Sequence, residues 1–139
     1  MNADRVRRSV VLGACLCLLA AGTAAADSHA DYMLHCQGCH GPDGSGAPGA
    51  VPSFRNHVAK FLQVRGGREY LIRVPGVSQS ELDDARVAEV LNWIVREFDA
   101  ERSANAPPFT AAEVARWRRP PLADVDEVRS ELLHAIEHP

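Results

Sequence analysis

The chain has 139 residues, which bounds it to about one domain. Charged residues make up 24% and hydrophobic residues 46%, the balance of an ordinary globular protein. A net charge of −3 does not suggest nucleic-acid binding, which wants a basic face, and aromatics at only 6% leave core bulk for an enclosed group to supply.

Residues 1–26 read as an export signal rather than as structure. Arg5, Arg7 and Arg8 form a positive start. The apolar run over residues 9–21 is too short to span a bilayer. Ala24-Ala25-Ala26 supplies the small residues that signal peptidase needs. Cleavage there removes Cys15 and Cys17 and leaves only Cys36 and Cys39. It also removes three Arg and one Asp, so the processed chain is more acidic. Leu12-Gly13-Ala14-Cys15 loosely matches a lipoprotein cleavage site, but the apolar run before it is very short. Lipid anchoring at Cys15 is therefore not expected. No later apolar run approaches 18 residues, so the processed chain is expected to lack a membrane span.

Residues 27–36 suit a short helix with Tyr32 and Cys36 on one face. Residues 41–49, dense in Gly and Pro, form a loop. A short helix is expected over 57–64, closed by Gly66-Gly67. Another is expected over 68–74, stopped by Pro75-Gly76. Asp83 is placed to cap a helix over 84–98. Val87, Val90, Leu91, Ile94 and Val95 recur there at helical spacing and read as core. Residues 99–108 form a polar linker. Thr110 and Glu113 have capping-box spacing, so a helix follows to 118. Asp124 caps a last helix bearing Val125, Val128, Leu132, Leu133 and Ile136 on one side. The fold class is all-α, with the tail helices packed on the domain.

Cys36-Gln37-Gly38-Cys39-His40 reads C-x-x-C-H, the spacing of c-type haem attachment. Two thiols at this spacing reach the two vinyl groups on one porphyrin edge, and the adjacent His is held beneath the iron. Two other uses of the pair remain at this point. Structural zinc would want a second ligand pair. A thioredoxin-like redox pair would want a preceding strand.

Tyr32, Cys36, Cys39, His40 and Gly41 together resemble the start of a class I cytochrome c domain. Leu82-Asp83-Asp84, the apolar stripe and Trp93 resemble that family's C-terminal helix. Pro52, within Val51-Pro52-Ser53-Phe54, resembles the loop proline whose carbonyl accepts the ligand His N–H. The likeness spans residues 28–98. It implies a small helical domain around one covalent haem c at residues 27–98. Residues 99–139 lie beyond it as a linker and helical C-terminal extension.

One family feature is missing. Such domains usually supply a Met sulfur as the sixth iron ligand, and this chain holds only Met1 and Met33. Met33 sits on the wrong helix, three residues before Cys36. The expected loop carries Val77 and Gln79 instead. An open iron site is one reading. A second His is another, with His57 nearest and His134 or His138 folding back from the tail. Arg68 and Arg73 are the choices for pairing with the haem propionates.

The function expected is one-electron transfer with no catalytic residues. The partner would be a periplasmic or membrane-bound redox protein, such as a dehydrogenase or oxidase. The alternative is a haem protein that binds NO or CO at an open iron.

Overall fold

A computed structural model describes residues 27–139. The expected export segment, residues 1–26 with Cys15, lies outside the described residues. The first helix, α1 (Ser28–His35), is capped by Asp27, whose carboxylate accepts the His29 and Ala30 N–H groups. Its last turn runs directly into α2 (Gln37–His40), which carries the C-x-x-C-H residues. The long helix α5 (Asp84–Phe98) begins where Asp83 accepts the Arg86 N–H. Val87, Val90, Leu91, Ile94 and Val95 are all buried, as their spacing predicts.

Helix α1 packs across α5. Tyr32 has no exposed surface, and its ring lies 5.0 Å from Trp93 and 5.4 Å from Phe98. Such aromatic pairs add roughly 0.5–1.5 kcal/mol beyond their burial. The Tyr32 hydroxyl donates to the Gly41 carbonyl at 2.5 Å, which ties the crossing to the end of α2. Asp31 is fully buried beneath the same crossing and is paired with Arg86 from α5.

Between these elements the chain departs from the expected outline. The segment expected as a helix over 57–64 is a 3-10 stretch, Val58–Gln63. Its end is pressed against α3 (Gly67–Arg73): a Cβ at Gly67 would lie 1.9 Å from the Phe61 carbonyl oxygen. Pro75-Gly76 does break the helix, but Pro75 also starts the next short one, α4 (Pro75–Ser78). Proline suits a first helical position because its fixed φ is already helical and the N–H it lacks is not needed there. The linker at 99–108 contains one helical turn, α6 (Ala100–Ser103). Asp99 at its start is buried and accepts the Ala59 N–H at 3.0 Å.

The last two helices, α7 (Ala111–Trp117) and α8 (Val125–Glu137), form where their caps predict. Thr110 accepts the Glu113 N–H, and Asp124 accepts the Glu127 N–H. Both helices lie on the domain. Phe109, Val114 and Leu132 join the same hydrophobic core as Tyr32 and Ile94. Asn92 on α5 bonds both the N–H and the carbonyl of Phe109, at 2.7 and 2.9 Å. Among the described residues there is no strand, only one isolated bridge between Ala47 and Val51. The described chain is therefore all-α.

Candidate functional site

A cavity of about 410 Å3 opens between α2, the 47–54 loop, α3, α4, α5 and α8. Cys36, Cys39 and His40 line it, as do Pro52 and His57. Cys36 is half-buried and Cys39 exposed, and the two are free thiols. Burial, with Asp31 and Cys39 nearby, pushes the Cys36 thiol up to about 11. The residues preceding Cys36 are helical, not a strand, so the setting of a thioredoxin-like pair is not present. Among the described residues no group of three or more His, Cys, Asp or Glu side chains is gathered to hold a metal by itself.

His40 is held in one orientation. Its Nδ1 lies 3.2 Å from the Pro52 carbonyl oxygen. With Nδ1 as the donor, Nε2 keeps its lone pair, which is the tautomer a metal ligand requires. Phe54 stacks on the imidazole at 3.8 Å and 16°, limiting its rotation. Burial lowers the His40 pKa, and the Pro52 carbonyl opposes it. The ring is thus neutral at pH 7, the form that binds metal.

The Pro52 carbonyl reaches His40 through a tight loop. The Gly46 N–H donates to the His40 carbonyl at 2.9 Å, and Ala47 and Val51 exchange hydrogen bonds across the bridge. Gly46 has φ +68°, and a Cβ there would lie 2.3 Å from the Val51 oxygen and 2.7 Å from the Pro52 oxygen. Only glycine fits both the conformation and the space.

Arg68 and Arg73, expected at a propionate, are not brought to the cavity. Arg68 forks onto Glu113 with two bonds of 2.6 Å and caps the Phe109 ring at 4.1 Å. Arg73 pairs with Glu69 and donates to the Pro120 carbonyl. Both arginines therefore fasten the tail to α3. The cation that does line the cavity is Arg129 on α8, and its Nη2 lies 3.3 Å from the His57 Nε2. That contact occupies the ring nitrogen His57 would have offered to iron. Burial, then Lys60 and Arg129, lowers the His57 pKa, so it is a neutral acceptor there. His134 and His138 are exposed and lie outside the cavity lining. Met33 is also exposed and outside it.

Sequence reasoning missed Arg129. The signal was present: Arg129 lies between Val125 and Leu132 on the inward stripe of α8, where the spacing calls for an apolar residue. It also missed the tail's place in the cavity wall, to which Val125 and Asp126 contribute.

The cavity suits a large flat cofactor with a charged edge. Its lining is mostly hydrocarbon, with Val51, Phe54, Leu71, Leu91 and Ile94 prominent. Two thiols and a tautomer-fixed His stand at one part of it, and an Arg–His pair at another. The donor set and shape together fit a haem attached by thioethers, with room in the volume range of cofactor sites.

No family model matches the chain. Two proteins named cytochrome c-552, both from Thermus thermophilus, are similar to it. One is 39% identical over 121 residues, covering 73% of this chain and 82% of the relative. The other is 40% identical over 108 residues, covering 64% of this chain and 82% of the relative. The first match takes a larger share of the chain than residues 1–98 alone could supply, so it reaches into the tail.

Proposed function

The chain belongs to the c-type cytochrome family, and on that footing we propose that it is an exported one-electron carrier with its haem attached at Cys36 and Cys39. As a member of that family it carries covalently bound haem c. When bound, the haem iron supplies the one-electron redox change. Electron transfer of this kind requires no general acid or base.

The chain's own residues hold and tune the cofactor. Cys36 and Cys39 would hold one edge through thioether bonds. His40 would offer Nε2 to the iron, with its Nδ1 held by the Pro52 carbonyl. Such a carbonyl partner orients the ring and raises ligand basicity. Arg129, whose guanidinium meets the His57 ring, would take the propionate edge. Arg is suited to that task because its planar fork pairs with a carboxylate through two bonds. Arg129 thus replaces Arg68 and Arg73 in that role. The observation that carries the reading is the joint placement of Cys36, Cys39 and the Pro52-bonded His40 on one apolar cavity.

The partner approaches the attachment edge, where Cys39 is exposed and Met33 and Leu34 present apolar surface. Residues 1–26 direct export, so that partner is a periplasmic or membrane-bound redox protein. Among the described residues no helix is long and apolar enough to cross a membrane.

The test is expression in a host that matures c-type haem, followed by mass spectrometry and redox titration. The expected wild-type product carries one covalent haem and titrates reversibly with one electron. A Cys36→Ala, Cys39→Ala variant is expected to lose the covalent mass. A wild-type chain recovered without covalent haem would refute the reading.

A further inference from the structure

We propose that His134 and His138 form a chelating site for one divalent transition ion, copper(II) foremost, on the outer face of α8. The haem cavity gives these two residues no role, since they are exposed and lie outside its lining. They stand one turn apart at the end of the helix. The His138 N–H donates to the His134 carbonyl at 3.0 Å, so the helical hydrogen-bond pattern reaches both residues. Side chains four apart on a helix share one face. Here the two imidazoles meet, with ring centroids 4.6 Å apart and planes tilted by 47°. Among the described residues, the histidine rings bonded to other protein groups are those of His40 and His57. The ring nitrogens of His134 and His138 are therefore left to water or to a metal.

The separation of the rings suits a shared ion. An ion held at about 2.0–2.1 Å from an imidazole nitrogen lies roughly 3.2 Å from that ring's centroid. Two such rings are about 4.5 Å apart at a right angle around the ion, and about 5.2 Å apart at a tetrahedral angle. The observed 4.6 Å falls between these limits, close to the square arrangement that copper(II) prefers. Among the described residues no third His, Cys, Asp or Glu side chain is gathered with the pair, so water completes the coordination. Two imidazoles without a thiolate favour copper(II), then nickel(II) and zinc(II), over copper(I), magnesium or calcium.

The surroundings favour a cation as well. Leu132 is buried in the core, and Val128, Leu133 and Ile136 pack against it, which fixes the inner side of α8. By helical spacing His134 and His138 lie on the opposite side. Glu127 and Glu131 continue that exposed side toward the start of the helix and add negative charge to it. The last turn also carries the negative end of the helix dipole, which stabilises a bound cation. The chelate forms only while this turn is helical. A bound ion therefore fastens the turn that carries Ile136.

The experiment is a copper(II) sulfate titration of the full chain, free of any purification tag, followed by calorimetry and electron paramagnetic resonance. The chain is haem-loaded and ferric, so the iron cannot reduce the copper. On the haem reading above, covalent haem withholds Cys36, Cys39 and His40 from copper, and the pyridine adduct spectrum checks its presence. Should haem be absent, the same titration on Cys36→Ala, Cys39→Ala keeps the two readings apart. His29→Gln is the background throughout. Export processing after residue 26 would leave His29 third in the chain, where copper binds through backbone nitrogens. One copper per chain is expected, with hyperfine lines from two imidazole nitrogens. His134→Gln and His138→Gln are each expected to weaken binding at least about tenfold, because the second imidazole acts at a high effective concentration. Zinc(II) is expected to bind at least about tenfold more weakly than copper(II). Both substitutions fall on the exposed side, and circular dichroism checks that the helices are kept. Copper binding that is equal in the background and in both variants overturns the proposal. Loss confined to one variant overturns the chelate, because a lone imidazole would then be the ligand.

Discussion

The Pro52 carbonyl meets His40 only because Gly46 has no side chain. The loop doubles back so closely that a Cβ at Gly46 would overlap two backbone oxygens, one of them the Pro52 acceptor. A positive φ at a non-glycine residue costs of order 1 kcal/mol before any clash is counted. Gly46→Ala is therefore expected to destabilise the chain by about 1–3 kcal/mol, seen as a lower urea midpoint with an unchanged slope. It should also displace the Pro52 oxygen and weaken the Nδ1 bond of His40. Less basic ligation then raises the haem midpoint potential, which a redox titration reads directly. Equal stability and potential in the two proteins would show that the loop relaxes without cost. Cys36 and Cys39 need no comparable support, because their spacing alone sets their reach.

Helix α7 is fastened to α3 by one ion pair of good geometry. Arg68 meets Glu113 through two parallel bonds, with both side chains about three-quarters buried. Exposed pairs are worth roughly 0.2–1 kcal/mol, and bidentate partly buried ones lie at the upper end. A double-mutant cycle with Arg68→Met and Glu113→Gln is expected to give a coupling of about 1 kcal/mol. The haem spectrum should not change in any corner of the cycle, since Arg68 does not line the cavity. A spectral shift in Arg68→Met would return that residue to the cofactor. The helices themselves were legible from local signals. Asp83, Thr110 and Asp124 cap where an N-cap residue precedes an apolar stripe, and α5 runs over the residues its period marks. The proposed attachment residues were legible because their chemistry is written within five positions. The partners of Arg68, Arg118 and Arg129 were not legible, because each lies 34 to 72 residues away. No local rule distinguishes a surface arginine from one that will meet a distant carbonyl. Pro75 shows a different limit, since the same residue ends one helix and begins the next.

Across the whole molecule, residues 99–139 complete the domain that residues 27–98 begin. Phe109, Val114 and Leu132 are each less than a tenth exposed and share one core with the α1–α5 crossing. Arg129 and Val125 close the cavity, and Arg118 ties down the loop beside it. Burying three such apolar side chains contributes roughly 1.5–3 kcal/mol each. Their sum is comparable to the whole stability of a small domain, about 5–15 kcal/mol. A chain ending after Asp99 should then lose most of its margin and expose one side of α5 to water. The expected outcome is a truncated protein that still receives covalent haem, because attachment needs only the C-x-x-C-H segment. Its thermal transition should be broad and at least 15 °C lower, by the usual relation between stability and midpoint for a domain of this size (roughly 4–8 °C per kcal/mol). Circular dichroism at 222 nm and the haem absorbance would follow the two separately. A sharp transition at the full-length midpoint would mean that residues 27–98 stand alone and that the tail is an addition to a finished domain.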